Sequence, residues 1–152
     1  MRLARLAAVA LALATTSCLD TTDPNANAGP PPMSATIEGT EWHATGVFVT
    51  PSETAITLQG SNEGSNAAVS MAIGGTGPGT YQLVPGSASS AFVGIVTGQV
   101  WSTLGDGASG SIVVTTFANR HITGTFNFTA VPSMGGATGN VHVTDGKFDF
   151  SY

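Results

Sequence analysis

From residue 34 onward, apolar and polar residues alternate in short runs, separated by clusters of Gly, Pro, Ser and Asn. Alternation with a period of two is typical of a half-buried β-strand, and the intervening clusters are typical of turns. The pattern predicts strands near residues 35–38, 41–50, 54–60, 67–73, 80–84, 91–101, 111–117, 121–131, 140–144 and 147–152.

None of the intervening segments has the length and periodicity of a helix, and short connections favour antiparallel neighbours. The expected fold class is therefore all-β: an antiparallel meander of about eight to ten short strands, forming a β-sandwich or a flattened β-barrel.

The last two predicted strands flank Asp145-Gly146, a sequence typical of a two-residue type I′ hairpin turn. Pairing outward from this turn places Val143 opposite Phe148 and His142 opposite Asp149. Alternation then predicts one apolar face for the hairpin, made of Val141, Val143, Phe148, Phe150 and Tyr152.

The strand predicted at 121–131 also has an apolar face, which carries Ile122, Gly124, Phe126 and Phe128. The strand before it can turn its own apolar set to the same side only if the connecting loop, near Asn119-Arg120, holds an odd number of residues. We therefore expect a bulge there, with Asn119 in the left-handed conformation. That apolar set is Ile112, Val114 and Thr116, which leaves Val113 and Phe117 on the opposite face, so that part of the sheet can be covered on both sides.

Two tryptophans are the largest apolar residues of the predicted domain. Trp42 follows a predicted turn at 38–41, and Trp101 ends a predicted strand. We expect both to anchor the core with their indole N–H groups hydrogen-bonded. The alternative is that Trp42, Trp101 or Tyr81 lies exposed and stacks on sugar rings.

The N-terminal segment has a different composition. Arg2 and Arg5 precede an apolar run at 6–14, and three small residues lead to Cys18. This order is typical of a secretory signal peptide, predicted here at residues 1–17. The apolar run is too short to span a bilayer, which requires about 20 residues.

Cys18 is the only cysteine, so no disulfide can form within the chain. Thr15-Thr16-Ser17-Cys18 resembles the bacterial lipobox, although its first position differs from the common Leu-Ala-Gly-Cys. The resemblance implies lipidation of Cys18 by palmitate-like acyl chains, and Leu19 after it implies the outer membrane. The alternative is ordinary signal peptidase cleavage near Ser17, with Cys18 incidental or removed.

Residues 18–33 contain Pro24, Gly29 and three consecutive prolines, and have almost nothing to bury. We expect a disordered or polyproline-like tether, which at ~3.1 Å per residue reaches about 45 Å. The domain proper is predicted at 34–152.

Charge excludes one class of partner. Removal of Arg2 and Arg5 leaves Arg120 and Lys147 against nine acidic residues, a formal net charge of −7. Such a chain repels phosphate backbones, so we expect no nucleic-acid binding.

No residue pattern predicts a catalytic, cofactor or metal site. His43, His121 and His142 lack metal-ligand spacing. The segment 107–111 departs from Gly-x-Ser-x-Gly at its last position, and the glycine-rich segment 74–79 has no lysine to bind phosphate. We therefore expect no enzyme and no cofactor.

Several segments together resemble a family of small bacterial lipoproteins whose domain has no assigned function. They are 35–39 with Trp42 and Ala44, 56–61, 79–83, 110–115, 122–130 and 143–148. The resemblance implies a lipid-anchored all-β domain of the cell envelope and supplies no catalytic residues.

Three functions are consistent with these features. We expect a non-enzymatic envelope domain, structural or protein-binding, held at the membrane through acylated Cys18, with an envelope protein or glycan as a possible partner. The alternatives are a lipocalin-like carrier of a small apolar ligand, for which Gly94, Gly98 and Gly124 could leave space, and a carbohydrate-binding module.

Overall fold

The structure is a computed structural model that describes residues 30–152, and Cys18 and most of the expected tether lie outside the described residues. The described part contains eleven strands and no helix, hence no helix that could cross a membrane. The strands are β1 Met33–Ile37, β2 Thr40–His43, β3 Gly46–Pro51, β4 Ile56–Asn62, β5 Ala67–Ile73, β6 Gly79–Gln82, β7 Ser90–Ile95, β8 Val100–Ser102, β9 Ser109–Ala118, β10 His121–Met134 and β11 Val141–Ser151.

All strand pairs are antiparallel, which confirms the predicted fold class. The strands follow the order β2-β1-β11-β10-β8-β7-β5-β4-β3, with β9 between β10 and β6. The first ten residues of β10 pair with β9 and β11, whereas its last residues pair with β8. This long strand joins the two halves of a sheet that curls into a half-barrel.

Several predicted strands have different limits in the structure. The stretch predicted at 41–50 is divided into β2 and β3, and the stretch at 91–101 is divided into β7 and β8 by a turn in which Gly98 has a φ of 90°. The last two predicted strands form the single strand β11. The first strand begins at Met33, which is fully buried, although the tether was expected to include it.

The predicted hairpin turn at Asp145-Gly146 is wrong. In the β10–β11 ladder Phe128 pairs with Val143 and Phe126 pairs with Gly146, so two residues of β11 oppose one residue of β10. This arrangement is a β-bulge, and Asp145 has the positive φ of 53° that such a bulge uses. The strand therefore continues through the position where a reversal was predicted.

The predicted apolar face of β11 is nevertheless correct. Val141, Val143, Phe148 and Phe150 are all buried, and Tyr152 packs against the core from its edge. The spacing from 143 to 148 is odd, so straight alternation would place these two residues on opposite faces. The extra residue of the bulge brings Val143 and Phe148 back to the same face, as a two-residue turn would also do.

The β9–β10 hairpin contains a bulge at a different place from the one predicted. Asn119 and Arg120 form a two-residue turn with φ values of 54° and 59°. The bulge lies within β9 at Thr115, where the register with β10 shifts. As a result, Phe117 packs against the core beside Ile122, whereas Thr116 pairs with Thr123 on the other face. The predicted faces of Phe117 and Thr116 are therefore both wrong.

Both tryptophans are buried core anchors, as predicted. The indole N–H of Trp42 donates to the Ala67 carbonyl at 3.4 Å, and that of Trp101 donates to the Gly139 carbonyl at 2.9 Å. Gly60 of β4 leaves room for the first of them, because a Cβ at this position would lie 2.9 Å from Trp42 Cη2. The contacts of Trp42 join β2 to β4 and β5, which lie near the other end of the strand order.

Candidate functional surfaces

The N-terminal end of the described chain runs along the edge of β11. The Asp149 N–H donates to the Pro32 carbonyl at 2.9 Å, and Met33 pairs with Phe148. The chain therefore enters the domain at the end of the sheet where β11 finishes and β10 begins, because His121 pairs with Ser151 there. Acylation of Cys18 remains a prediction, since this residue lies outside the described part.

An open groove lies beside this entry point, on the outer face of the sheet. Its volume is about 660 Å³, and it is open to solvent. Threonine hydroxyls from β9 and β10 line one side, and the proline run forms another. The lining residues are Pro30, Pro31, Pro32, Ser34, Thr115, Thr123, Gly124, Thr125, Lys147, Phe148 and Asp149.

The predicted pairing of His142 with Asp149 is wrong, because both residues lie on one continuous strand. Asp149 Oδ1 lies 2.6 Å from Nε2 of His121, whereas His142 Nδ1 lies 3.0 Å from Oγ1 of Thr129. His43 lies exposed at the end of β2. Within residues 30–152, no group of three His, Cys, Asp or Glu residues could hold a metal ion.

The two sequence segments that partly resembled functional motifs are structural. Gly74 to Pro78 form a loop before β6 that is closed by Tyr81, whose hydroxyl donates to the Gly77 carbonyl at 2.6 Å. Residues 109–111 belong to β9 and pair with β10. They are therefore not on a strand-to-helix turn, which is the context that exposes a nucleophilic serine.

The interior of the half-barrel is filled by side chains. The buried core is a continuous hydrophobic cluster with contributions from both halves of the sheet. Gly124, one of the three glycines expected to leave space, does not do so, because a Cβ there would lie 2.5 Å from Phe148 Cζ and closer still to the Val113 carbonyl oxygen. Gly94 and Gly98 have nothing within 4 Å of an added Cβ, but Gly98 lies in the β7–β8 turn and Gly94 lies on the face of β7 opposite to the buried Val93. This packing argues against the carrier hypothesis.

The aromatic side chains also argue against the carbohydrate-binding hypothesis. Trp42 and Trp101 are 3% and 9% exposed, so neither presents a ring face to solvent. Tyr81 is half-buried and packs against the core. The three residues therefore do not form a flat stacking platform.

The edge strand β3 presents an exposed apolar side chain that the expectations from sequence did not include. Phe48 is 68% exposed, while Val47 and Val49 on either side pack against the core. The strand carries no charged residue and ends the sheet. The signal was three consecutive apolar residues in an alternating strand, which places Phe48 on the face opposite to Val47 and Val49.

The edge strand β2 differs from β3 in this respect. It is only four residues long, and its exposed side chains include Glu41 and His43. Short length and charge are common means by which proteins prevent an edge from pairing with another strand. The edge strand β3 is longer and has no charged residue, although it ends in Pro51.

The fold and its surfaces define an all-β half-barrel domain with a filled interior. Comparison with known protein families matches residues 29–149 to the family described as "Domain of unknown function (DUF6252)", and the chain belongs to this family. No curated protein and no solved structure matches the chain.

Proposed function

We propose that the protein is a lipid-anchored, non-enzymatic domain of the bacterial cell envelope that binds a protein partner. The observation that carries the anchor is the order of the N-terminal residues: two arginines, an apolar run at 6–14, three small residues and the lone Cys18. In this proposal residues 1–17 are removed, Cys18 is acylated and inserted in the outer membrane, and the residues between Cys18 and β1 tether the domain.

The strength of such an anchor follows from its acyl chains. Each buried CH₂ contributes about 0.8 kcal/mol, and two or more chains give stable attachment, whereas one chain alone is reversible. The chain's other residues are not needed for attachment in this proposal.

The anchor is tested by fractionating cells that express the wild-type chain or its Cys18→Ser variant. We expect the wild type in the membrane fraction and Cys18→Ser in the soluble fraction. Thr21→Ser, which keeps the cysteine, is the matched control and should behave like the wild type. Membrane retention of Cys18→Ser equal to that of the wild type would contradict the anchor.

Protein binding is supported by β3. Alternate residues of an edge strand direct their N–H and C=O groups away from the sheet, where an extended segment of another protein can pair with them. Phe48 adds an apolar side chain beside that edge, and the strand has no charge to oppose pairing. The partner in this proposal is an extended segment that adds a strand next to β3.

Photo-crosslinking in cells tests this interaction. A photoreactive residue at Thr50, which is exposed on β3, should give a discrete protein adduct. Phe48→Lys should abolish the adduct, because it places a charge beside the edge. Val96→Lys is the matched control, since Val96 is 74% exposed but lies in a turn between β7 and β8. An adduct that persists in Phe48→Lys would contradict strand addition at β3.

A further inference from the structure

The first described residues of the chain and its last residues lie at the same end of the sheet. Pro32 lies beside Asp149, and the Tyr152 N–H donates to the Arg120 carbonyl at 2.9 Å. We name this the entry end and define it by residues 30–32, 119–121 and 151–152. Strand β1 leads away from it, so the β1–β2 turn at Glu38-Gly39 lies at the opposite end of that strand.

The basic side chains lie on the entry side of this part of the sheet. Arg120 is exposed in the β9–β10 turn, and Lys147 is exposed in the groove lined by the proline run. They are the only Lys or Arg residues outside the predicted signal peptide. Asp149 is also exposed in this groove, with its Oδ1 2.6 Å from Nε2 of His121, so one acidic side chain lies among the basic ones.

Acidic side chains occupy the opposite side of the same strands. Glu38 lies in the β1–β2 turn, where its carboxylate accepts a hydrogen bond from the His142 N–H at the start of β11. Glu41 on β2 and Asp145 at the bulge are both exposed. Arg120, Lys147 and Asp149 therefore give the entry side a formal charge of 2 − 1 = +1, whereas Glu38, Glu41 and Asp145 give the opposite side a formal charge of −3.

We propose that the entry end faces the lipid bilayer and that Arg120 contacts the phosphates of anionic headgroups there. This inference rests on the proposed function in one respect, namely that Cys18 holds the chain at a membrane. The overall charge of −7 does not oppose it, because screening at physiological salt limits each charge to about 8 Å. Only the charges of the apposed surface then act on the headgroups.

The contribution of Arg120 is modest and measurable. A basic residue close to an anionic leaflet shifts a binding equilibrium about five-fold. Lys147 lies further along β11, so Arg120 at the turn is the residue whose removal should affect orientation most.

Paramagnetic relaxation enhancement on nanodiscs tests the proposal. The chain 18–152 is coupled through Cys18 to a maleimide lipid in nanodiscs that contain phosphatidylglycerol and a lipid bearing a gadolinium chelate. Backbone amide relaxation then reports distance from the bilayer. We expect strong enhancement at residues 118–121 and 152, and several-fold weaker enhancement at residues 38–39.

Variants separate electrostatic contact from the geometry of the tether. Arg120→Gln should reduce about five-fold the equilibrium ratio of molecules whose entry end faces the bilayer to molecules in other orientations. The difference in relaxation enhancement between the two ends should decrease accordingly. Gln99→Glu, which makes the same unit change in charge in the β7–β8 turn, is the matched control and should preserve the contrast.

Three results would overturn the proposal: equal enhancement at both ends, an Arg120→Gln pattern like that of the wild type, or an unchanged contrast on phosphatidylcholine nanodiscs. Because the maleimide lipid supplies the anchor chemically, the outcome does not depend on whether cells acylate Cys18. Failure of the orientation and failure of the anchor are thus distinguished.

Discussion

Gly146 is the residue whose substitution distinguishes the observed bulge from a hairpin turn. A Cβ at this position would lie 2.5 Å from the ring of Phe126 and closer still to the carbonyl oxygen of that residue. Phe126 is 2% exposed, and its ring stacks on those of Phe128 and Phe148 at centroid distances of 6.2 and 6.4 Å. Neither the carbonyl nor the ring can move without disturbing the core.

We therefore expect Gly146→Ala to lower the free energy of unfolding by about 2 kcal/mol, within the range for overpacked cores. For a domain of this size that change corresponds to a decrease in Tm of roughly 6–10 °C. Gly94→Ala is the matched control, because Gly94 also lies in a strand but a Cβ added there would have nothing within 4 Å. It should be neutral or stabilising by about 0.5 kcal/mol, since alanine restricts the unfolded chain.

Urea and thermal unfolding of the chain 18–152, followed by circular dichroism, measures both effects. Gly146→Asn adds a second comparison, because asparagine tolerates the left-handed conformation of a type I′ turn but is larger than alanine in the β10–β11 ladder. It should be at least as destabilising as Gly146→Ala. Wild-type stability in Gly146→Asn, or equal stability in Gly146→Ala and Gly94→Ala, would refute the bulge.

Two further predictions concern buried hydrogen bonds. Thr103 is fully buried, and its Oγ1 accepts a hydrogen bond from the Ala91 N–H at 2.8 Å. Thr103→Val should lower the free energy of unfolding by about 1–3 kcal/mol, because it leaves that N–H unpaired. Thr103→Ser, which keeps the hydroxyl, should lower it less in the same urea titration. Trp101→Phe removes the 2.9 Å hydrogen bond to the Gly139 carbonyl and part of the buried ring. We expect the free energy of unfolding, measured with denaturant, to decrease by about 2 kcal/mol. An unchanged unfolding midpoint would contradict the anchoring role of Trp101.

The sequence was sufficient to predict that the apolar residues of β11 share one face. It was not sufficient to predict whether a turn or a bulge places them there. The odd spacing from Val143 to Phe148 requires either a reversal or an extra residue in the strand, and Asp145-Gly146 suits both. The long-range pairing of β11 with both β1 and β10 selects the continuous strand. The β1–β11 part of this pairing joins residues more than 100 positions apart and leaves no local signal.

The candidate residues also divide into those set by local sequence and those set by long-range strand pairing. Trp42 and Trp101 were correctly predicted as anchors because burial of a large indole ring contributes more stabilisation than burial of most other side chains. The partners of His121 and His142 were not predictable, because the ladder register determines them. Phe48 was missed because edge position is a property of the whole sheet order.

The most direct test of the proposed function is the mass of the N-terminal peptide of the protein extracted from the membranes of expressing cells. Attachment through Cys18 predicts a mature chain that begins at Cys18 and carries diacylglycerol on the sulfur, with a mass that falls accordingly after lipase treatment. A mature chain that begins at another residue, or an unmodified Cys18, would contradict the lipid anchor.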